Sequence, residues 1–552
     1  MPQLNTRSPI CIAVLIVVLL LGACAGDSLV NQGNRNGILY LGNGTEPQTI
    51  DPHILSGTPE ARIANALFEG LVTVNPYTLE ILPGVAQRWE YSDDGHLITF
   101  YLNPQARFSN GRQITADDVV WSWHRALNPK TGNVVADFLF SVRNAEAYHR
   151  GHIDDPAQVG VRAIDPQTVE VELEYPDANA LRKFTYIYNA IVPREAILAH
   201  GDMTSRFSRW TQPGNLVSSG PFELDEWKMH RYLRVKRNPH YWNAENVQLE
   251  GVVFRPVESA STEEKMFRSG QLHATSTVPN SKVPAYRNAA DSPLINSPFM
   301  GTYYLMLNTR RPPLDDVRVR RALALSIDRE TLAHSVLEDT VIASSNYIPQ
   351  GMPGYDHPQG LDYQPERARQ LLAEAGYPRG RGFPDIELVF NTSENHRTVT
   401  SAVQQMWKDE LNIEVTLANQ EWKVYLDTLD TGDYDIGRMG WVADVYPGSF
   451  LDPLVTEGGT NRTGFSNVRY DEIILHDTRA TTDPKRLMAL YREAERLLLE
   501  EVQLIPIYNY KSKRLAQPSL EGLPGNLIDT LNLRFVKLDA NSQAWQPQAS
   551  AN

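Results

Sequence analysis

Alternation of apolar and polar side chains marks the first strands of the chain. Residues 97–102 read Leu-Ile-Thr-Phe-Tyr-Leu, and residues 169–173 read Val-Glu-Val-Glu-Leu. The second run has one apolar and one acidic face, so it belongs to a sheet with one wet side. Between them Thr115 and Asp118 form a capping-box-like start, with Asp in place of the usual Glu, to a helix carrying Val119, Val120, Trp123 and Leu127. Asp315 and Asp316 precede a further helix that runs to Ile327. Another opens with Pro365 in its first turn and stops at Gly376, ahead of Pro378.

Residues 385–442 carry the most informative pattern. A β-rich run at 386–390 is followed by a helical segment at 396–411, a strand at 413–417, a helix at 422–429 and a third strand opened by Tyr434-Asp435-Ile436. The order β-α-β-α-β demands parallel strands with crossover connections. In open parallel sheets ligands bind beyond the carboxyl ends of the strands. Trp422, just after the second strand, and residues 438–444, at the end of the third, occupy such positions.

The first 23 residues contain one charge, Arg7, followed by an unbroken apolar stretch of twelve residues from Ile10 to Leu21. Spanning a bilayer takes about 20, so the stretch fits the apolar region of a secretory signal. Leu21-Gly22-Ala23-Cys24 then resembles a bacterial lipobox, which implies cleavage before Cys24, lipidation of its thiol and a membrane anchor. Residues 1–23 are thus expected to be a lipoprotein signal peptide, and the polar, glycine-containing residues 24–36 a tether. The export reading leaves no free thiol in the mature chain, which excludes cysteine catalysis and Cys-ligated metal.

Composition narrows the rest. The chain has 552 residues, 42% apolar and 21% charged, enough for two to four lobes. Its formal charge is −14, and no run of five or more basic residues offers a phosphate-tracking stripe, so nucleic acid is not an expected partner. No G-x-S-x-G, H-E-x-x-H, G-x-x-x-x-G-K-[ST] or complete G-x-G-x-x-G occurs. The thirteen histidines are scattered, with only His149 and His152 close together. Carboxylates are plentiful, but none is singled out as half of a glycosidase pair. The expectation is a protein without cofactor or metal, and not an enzyme.

Several segments match one family in order and spacing across nearly the whole mature chain. They are Glu46-Pro47-Gln48-Thr49-Ile50-Asp51-Pro52, Phe68-Glu69-Gly70-Leu71, Pro83-Gly84-Val85-Ala86 and Trp89-Glu90, followed by Phe108-Ser109-Asn110-Gly111 and Thr115-Ala116-Asp117-Asp118-Val119. Further on come Asn238-Pro239 before Tyr241-Trp242, then Asp316-Val317-Arg318-Val319-Arg320, Ile327-Asp328-Arg329 and Pro506-Ile507-Tyr508. Together they resemble the oligopeptide-binding proteins of ABC importers, the family 5 extracellular solute-binding proteins. The resemblance implies an α/β, type II periplasmic binding protein-like fold of three lobes. Lobe I would comprise 37–70, 195–295 and 511–540, lobe II 71–194, and lobe III 296–510, with lobes I and III closing on the ligand like jaws. It also implies delivery to the transmembrane subunits of an ABC permease, a location on the periplasmic side of the cell envelope and a monomeric state.

A receptor for peptides of varied sequence must draw its affinity from groups that all peptides share. Strand addition recruits the ligand's backbone, and a fixed carboxylate must meet the α-ammonium, because an unpaired charge in a closed cleft costs several kcal/mol. Side-chain pockets should be roomy and wet. Residues 438–444, Arg-Met-Gly-Trp-Val-Ala-Asp, supply the parts. Gly440 allows close backbone approach, Trp441 gives a flat wall, Val442 continues the ladder, and Asp444 lies within reach of an ammonium. Matched to the family motif, Asp444 is the ammonium-binding residue and Arg438 a carboxylate-binding one. Ser56, Gly57 and Thr58 fall where the family places the lobe I strand that grips the ligand, and Trp422 and Tyr510 match pocket residues; Tyr303 and Tyr304 are weaker candidates. Two departures remove polar anchors. Leu429 stands where the family carries a second arginine near the ligand's carboxyl terminus, and a tyrosine expected in lobe II is replaced around Val134-Val135. Both point toward longer, modified or cell-wall-derived peptides. The alternatives left open are a non-peptide ligand on the same fold, such as a nickel chelate, a disaccharide or a peptide-like antibiotic, and an exported hydrolase.

Overall fold

Three sheets of four or more strands, each over its own apolar core, organise the chain in a computed structural model that describes residues 27–289 and 291–545. The first orders Ile38–Gly42, Gly251–Arg255, Tyr232–Arg237 and Phe222–Lys228 side by side, with a parallel pair at one edge. The second is wholly antiparallel: Ala86–Tyr91, Leu97–Leu102, Thr168–Glu172, Val161–Asp165. Its alternation is as the sequence reads. Val169 and Val171 are fully buried, while Glu170 and Glu172 face Arg162 and Arg143 on the wet side. The helix Ala116–Leu127 packs on this sheet, and its start is held by the Thr115 N–H donating to Asp118 Oδ2 at 2.9 Å.

The third sheet holds six strands in the order Ile342–Ala343, Leu504–Leu515, Leu294–Leu307, Ile436–Val442, Ile386–Asn391, Val415–Gln420. Its last three are the expected β-α-β-α-β unit, parallel throughout, with helices Glu394–Leu411 and Trp422–Thr431 between them. The second of these strands in chain order begins at Val415 rather than 413, because Asn412 ends the preceding helix in the left-handed region (φ 54°). Leu294–Leu307 and Leu504–Leu515 pair antiparallel from Leu294↔Leu515 to Met306↔Leu504, with a break between Pro298 and Thr302. Both lobe limits expected near 295 and 510 fall inside this ribbon.

Buried polar contacts tie the chain together, the first of them between two bodies and the others within one, and they involve segments that carried the resemblance. Arg125, fully buried, donates to both oxygens of Asp51 at 2.9 and 2.5 Å and meets His53 Nδ1 at 2.9 Å. Burial and the adjacent guanidinium hold His53 neutral, with its pKa lowered to about 4. Removing one partner of such a pair typically costs about 3–5 kcal/mol. Glu69 accepts from Tyr241 Oη at 2.6 Å and Trp242 Nε1 at 2.7 Å, and Arg329 donates to the carbonyls of Pro506 and Leu361 at 2.6 and 2.8 Å.

The tether expectation is corrected for the residues described. Leu29–Asn36 is a helix, capped by Ser28 Oγ accepting from the Asn31 N–H at 3.1 Å and closed by Gly37 at φ 68°. It is docked: Val30 and Asn34 are buried, Asn34 Oδ1 lies 3.1 Å from His273 Nε2, and Asn34 Nδ2 donates to the Ser542 carbonyl at 2.9 Å. Polar composition here serves capping and docking. Cys24 and the export signal lie outside the described residues. Among those described, no helix is long and apolar enough to cross a membrane.

Candidate ligand-binding cleft

The Ile436–Val442 strand pairs with Leu294–Leu307 along its whole length, from Ile436↔Leu307 to Val442↔Gly301. On its other side it pairs with Ile386–Asn391 only at Ile436 and Gly437. Past Gly437 that edge is open. Backbone groups alternate sides along a strand, and the Ala443 N–H turns to the Met300 carbonyl at 3.0 Å. Gly440 and Val442 therefore present their N–H and C=O to the open side, a template for an added strand.

Arg438 lies at the start of this edge. Its Nη2 donates to Tyr510 Oη at 2.8 Å and its Nη1 to Asn391 Oδ1 at 3.3 Å, and the guanidinium sits 4.7 Å over the Tyr303 ring. Tyr425 Oη donates to its backbone carbonyl. Its Nε is buried without a partner, and no carboxylate pairs with it among the described residues. Two more basic groups stand near. Burial and the charges of Arg438 and Lys513 hold the His396 imidazole neutral, with Nδ1 unpartnered. Lys513 donates to Asn280 Oδ1, and burial pushes its ammonium down to about 7. This end of the cleft is short of negative charge.

Asp444 lies at the other end and is 3% exposed. Its Oδ1 accepts from Arg182 Nη1 at 3.0 Å and from the Val445 N–H at 2.7 Å, and its Oδ2 takes no donor among the described residues. Burial pushes the carboxyl above its ordinary range against the pull of Arg182. Arg182 comes from the short helix Ala180–Phe184 beside the second sheet. Its arrival is a feature the sequence reading missed, since nothing in its surroundings along the chain marks it.

Trp441 and Val442 are half-buried, and Trp441 Nε1 donates to the Ser449 carbonyl at 2.9 Å. The freedom expected at Gly440 is already in use: a Cβ there would land on the Tyr510 hydroxyl. Tyr510 stacks on Phe299 with ring centroids 5.5 Å apart. Tyr303 is fully buried against Tyr508, and Tyr304 is core on the opposite face. Leu429 is fully buried, packed against Gly437. His149 Nδ1 is engaged by the Leu127 carbonyl at 3.0 Å, and no group of residues able to hold a metal occurs among those described.

The expected gripping strand at 56–58 is corrected. Gly57, extended at φ −112°, caps the helix Thr58–Leu67, which carries Pro59 in its first turn, and Thr58 is exposed. Proline in the first turn favours a helix start over a ladder. The region still reaches the cleft through Gly57 and Glu60, against which the Trp422 ring packs. Trp422 Nε1 donates to Glu60 Oε1 at 3.1 Å, the Gln48 N–H donates to the same oxygen at 2.8 Å, and Glu60 Oε2 has no partner. Glu60 is 1% exposed, and burial pushes its carboxyl up. In the sequence it reads as an ordinary acidic residue of a helix first turn. Glu394 also accepts from Ser259 Oγ and Ser261 Oγ at 2.8 Å each, so the two sides are shut.

Comparison with known proteins bears on this geometry. The model of the bacterial extracellular solute-binding proteins, family 5, matches residues 80–462. The periplasmic oligopeptide-binding protein OppA of Escherichia coli is 33% identical over 518 residues, covering 90% of this chain and 92% of that protein. The structure of Haemophilus influenzae OppA in complex with RPPGFSPFR superposes with a TM-score of 0.86 at 31% identity, covering 91% of this chain and 99% of the other. The murein tripeptide-binding protein MppA of E. coli gives 0.86 at 33% identity, covering 91% and 98%. Its unliganded open form gives 0.62, covering 91% and 97%. The present arrangement is thus unlike the open form of that relative, in keeping with the contacts across the cleft.

Proposed function

The chain belongs to the bacterial extracellular solute-binding proteins of family 5, and on that premise we propose that it is an extracytoplasmic receptor that binds extended oligopeptides and delivers them to an ABC-type importer. The observation that carries this reading is the open strand edge flanked by opposite charges: among the described residues Arg438, its Nε buried, has no carboxylate paired to it, and Asp444 is buried with donors on Oδ1 alone. Six residue steps separate them, about 20 Å of strand, which suits a short extended chain with its ammonium at Asp444 and its backbone on Gly440 and Val442. Trp441 and Tyr510 are the side-chain walls. Trp422 and Gly57 close the jaw, with Ser56 and Thr58 flanking them. The proposal includes the division into lobe I (37–70, 195–295, 511–540), lobe II (71–194) and lobe III (296–510). It also includes a lipid anchor at Cys24 on the periplasmic side of the membrane, and a monomer.

The test is native mass spectrometry of the purified protein followed by release of what it carries. Co-purified peptides of mixed sequence support the reading; a single defined non-peptide, or free amine generated from added peptide, overturns it.

A further inference from the structure

Between the second and third sheets the closed chain holds a cavity of about 820 Å³, a size typical of small-molecule sites. Tyr91, Tyr175 and Asp137 line one side, and Asp452, Leu487 and Tyr491 the other. None of these belongs to the open strand edge. The lysine and arginines of the wall are committed: Lys183 to Asp177 at 2.9 Å and Asp452 at 3.8 Å, Arg479 to Glu146 at 3.1 Å, Arg150 to Glu146 at 3.0 Å. Asp137 takes no ion pair and no side-chain hydrogen bond among the described residues. Burial, reinforced by the charge of Asp452, pushes its carboxyl up to about 7. A carboxyl so placed gains most from a cation that enters with a ligand.

The chamber lies beside the ammonium end of the cleft. Tyr186 feels the charges of both Asp444 and Asp137, and Tyr446 those of Asp452 and Asp444. Both hydroxyls are buried and without partners, Tyr446 at 6% exposure. Val134 also lines the chamber, at the place where the family resemblance implies a tyrosine. The smaller side chain leaves the space.

We propose that this chamber is a subsite for an organic cation: the side-chain amine of a basic residue at the ligand's amino-terminal end, received by Asp137, with its aliphatic stem against the tyrosines. The inference rests on the peptide reading. It would favour ligands that begin with a long basic residue over uncharged ones of equal length.

The test is calorimetry on the full chain with Lys-Ala-Ala and norleucine-Ala-Ala, which differ in the terminal amine, and saturation-transfer NMR with 1,5-diaminopentane alone. The expected result is about tenfold tighter binding of the lysine peptide. Asp137→Asn should abolish that preference while sparing the norleucine peptide, and should remove the diamine signal. Val134→Phe, which narrows the chamber and leaves Asp137 in place, should weaken the lysine peptide and the diamine. Equal affinity of the two peptides for the unaltered protein overturns the chamber and leaves the peptide reading standing. Diamine binding that depends on Asp137, with neither peptide bound, supports the chamber and overturns the peptide reading; no binding of any probe overturns both.

Discussion

A carboxylate removed from water needs partners for both of its oxygens, and Asp444 has partners for only one. Arg182 and the Val445 N–H converge on Oδ1, and among the described residues no donor reaches Oδ2. An α-ammonium would complete the set with a charge-assisted bond. Asp444→Asn should therefore weaken free-amine peptides by about one to a few kcal/mol and leave N-acetylated peptides nearly unchanged. Calorimetry with both ligand types checks this, and equal losses would contradict the assignment. The place of residues 438–444 was legible because it follows from where a third parallel strand must end, while the roles proposed for Asp444 and Arg438 come from the family resemblance. Arg182 was not legible, since it joins Asp444 from 262 positions away and sits in a five-residue helix whose sequence explains itself locally. Glu60 was hidden for another reason: an acid in a helix first turn already has a sufficient local role, so its second role, as acceptor for Trp422, leaves no trace in the pattern.

At the scale of elements, the β-α-β-α-β unit could be read because hydrophobic period and chain order together permit few topologies. The long ribbon of Leu294–Leu307 with Leu504–Leu515 could not, for its partners are some 200 residues apart and its pairing is broken after Pro298. Yet that ribbon delivers Tyr510 to the site. The two errors of assignment, the gripping strand at 56–58 and the tether before 37, share a cause. Proline in a helix's first turn and serine at an N-cap are weak signals beside an expectation of extended chain, and in both places the helix prevails. The strand edge itself makes a prediction. Gly440 lacks the Cβ that would collide with the Tyr510 hydroxyl, and that hydroxyl holds Arg438 Nη2 at 2.8 Å. Gly440→Ala should displace Tyr510, release Arg438 and reduce peptide affinity. Tyr510→Phe should do so less, because the ring stays stacked on Phe299. In the double variant the missing hydroxyl makes room for the methyl group, so the two effects should sum to less than their separate costs. A calorimetric double-mutant cycle measures this, and strict additivity would show that the two residues do not meet.

For the whole molecule, we expect the balance between open and shut arrangements to pass through groups that are buried where the two sides meet. Glu60 is the clearest. In the shut arrangement its carboxyl is buried under Trp422, Oε2 lacks a partner, and the charges it feels are those of Arg62 and the dipoles of the Gln48 N–H and the Trp422 indole. Tyr188, which also feels it, is neutral across the relevant range, since burial raises its hydroxyl. Burial is the largest influence on Glu60 and raises its pKa. A group raised in one state favours that state when protonated. The contribution to closure is therefore fully present below the glutamate's ordinary, open-state pKa and is lost as pH rises through the raised, shut-state value. Ligand-free protein should accordingly expand as pH rises through the weakly acidic range, and small-angle scattering should record a growing radius of gyration. Glu60→Gln keeps an acceptor for Trp422 Nε1 without titrating, so its radius should hold constant across that range and match the compact, acidic limit of the unaltered protein. The same slope in both proteins would assign the pH dependence to another group and leave Glu60 as a structural acceptor. A flat profile in the variant alone would make the Glu60–Trp422 contact a latch, one whose hold a bound peptide supplements by bridging the same two sides.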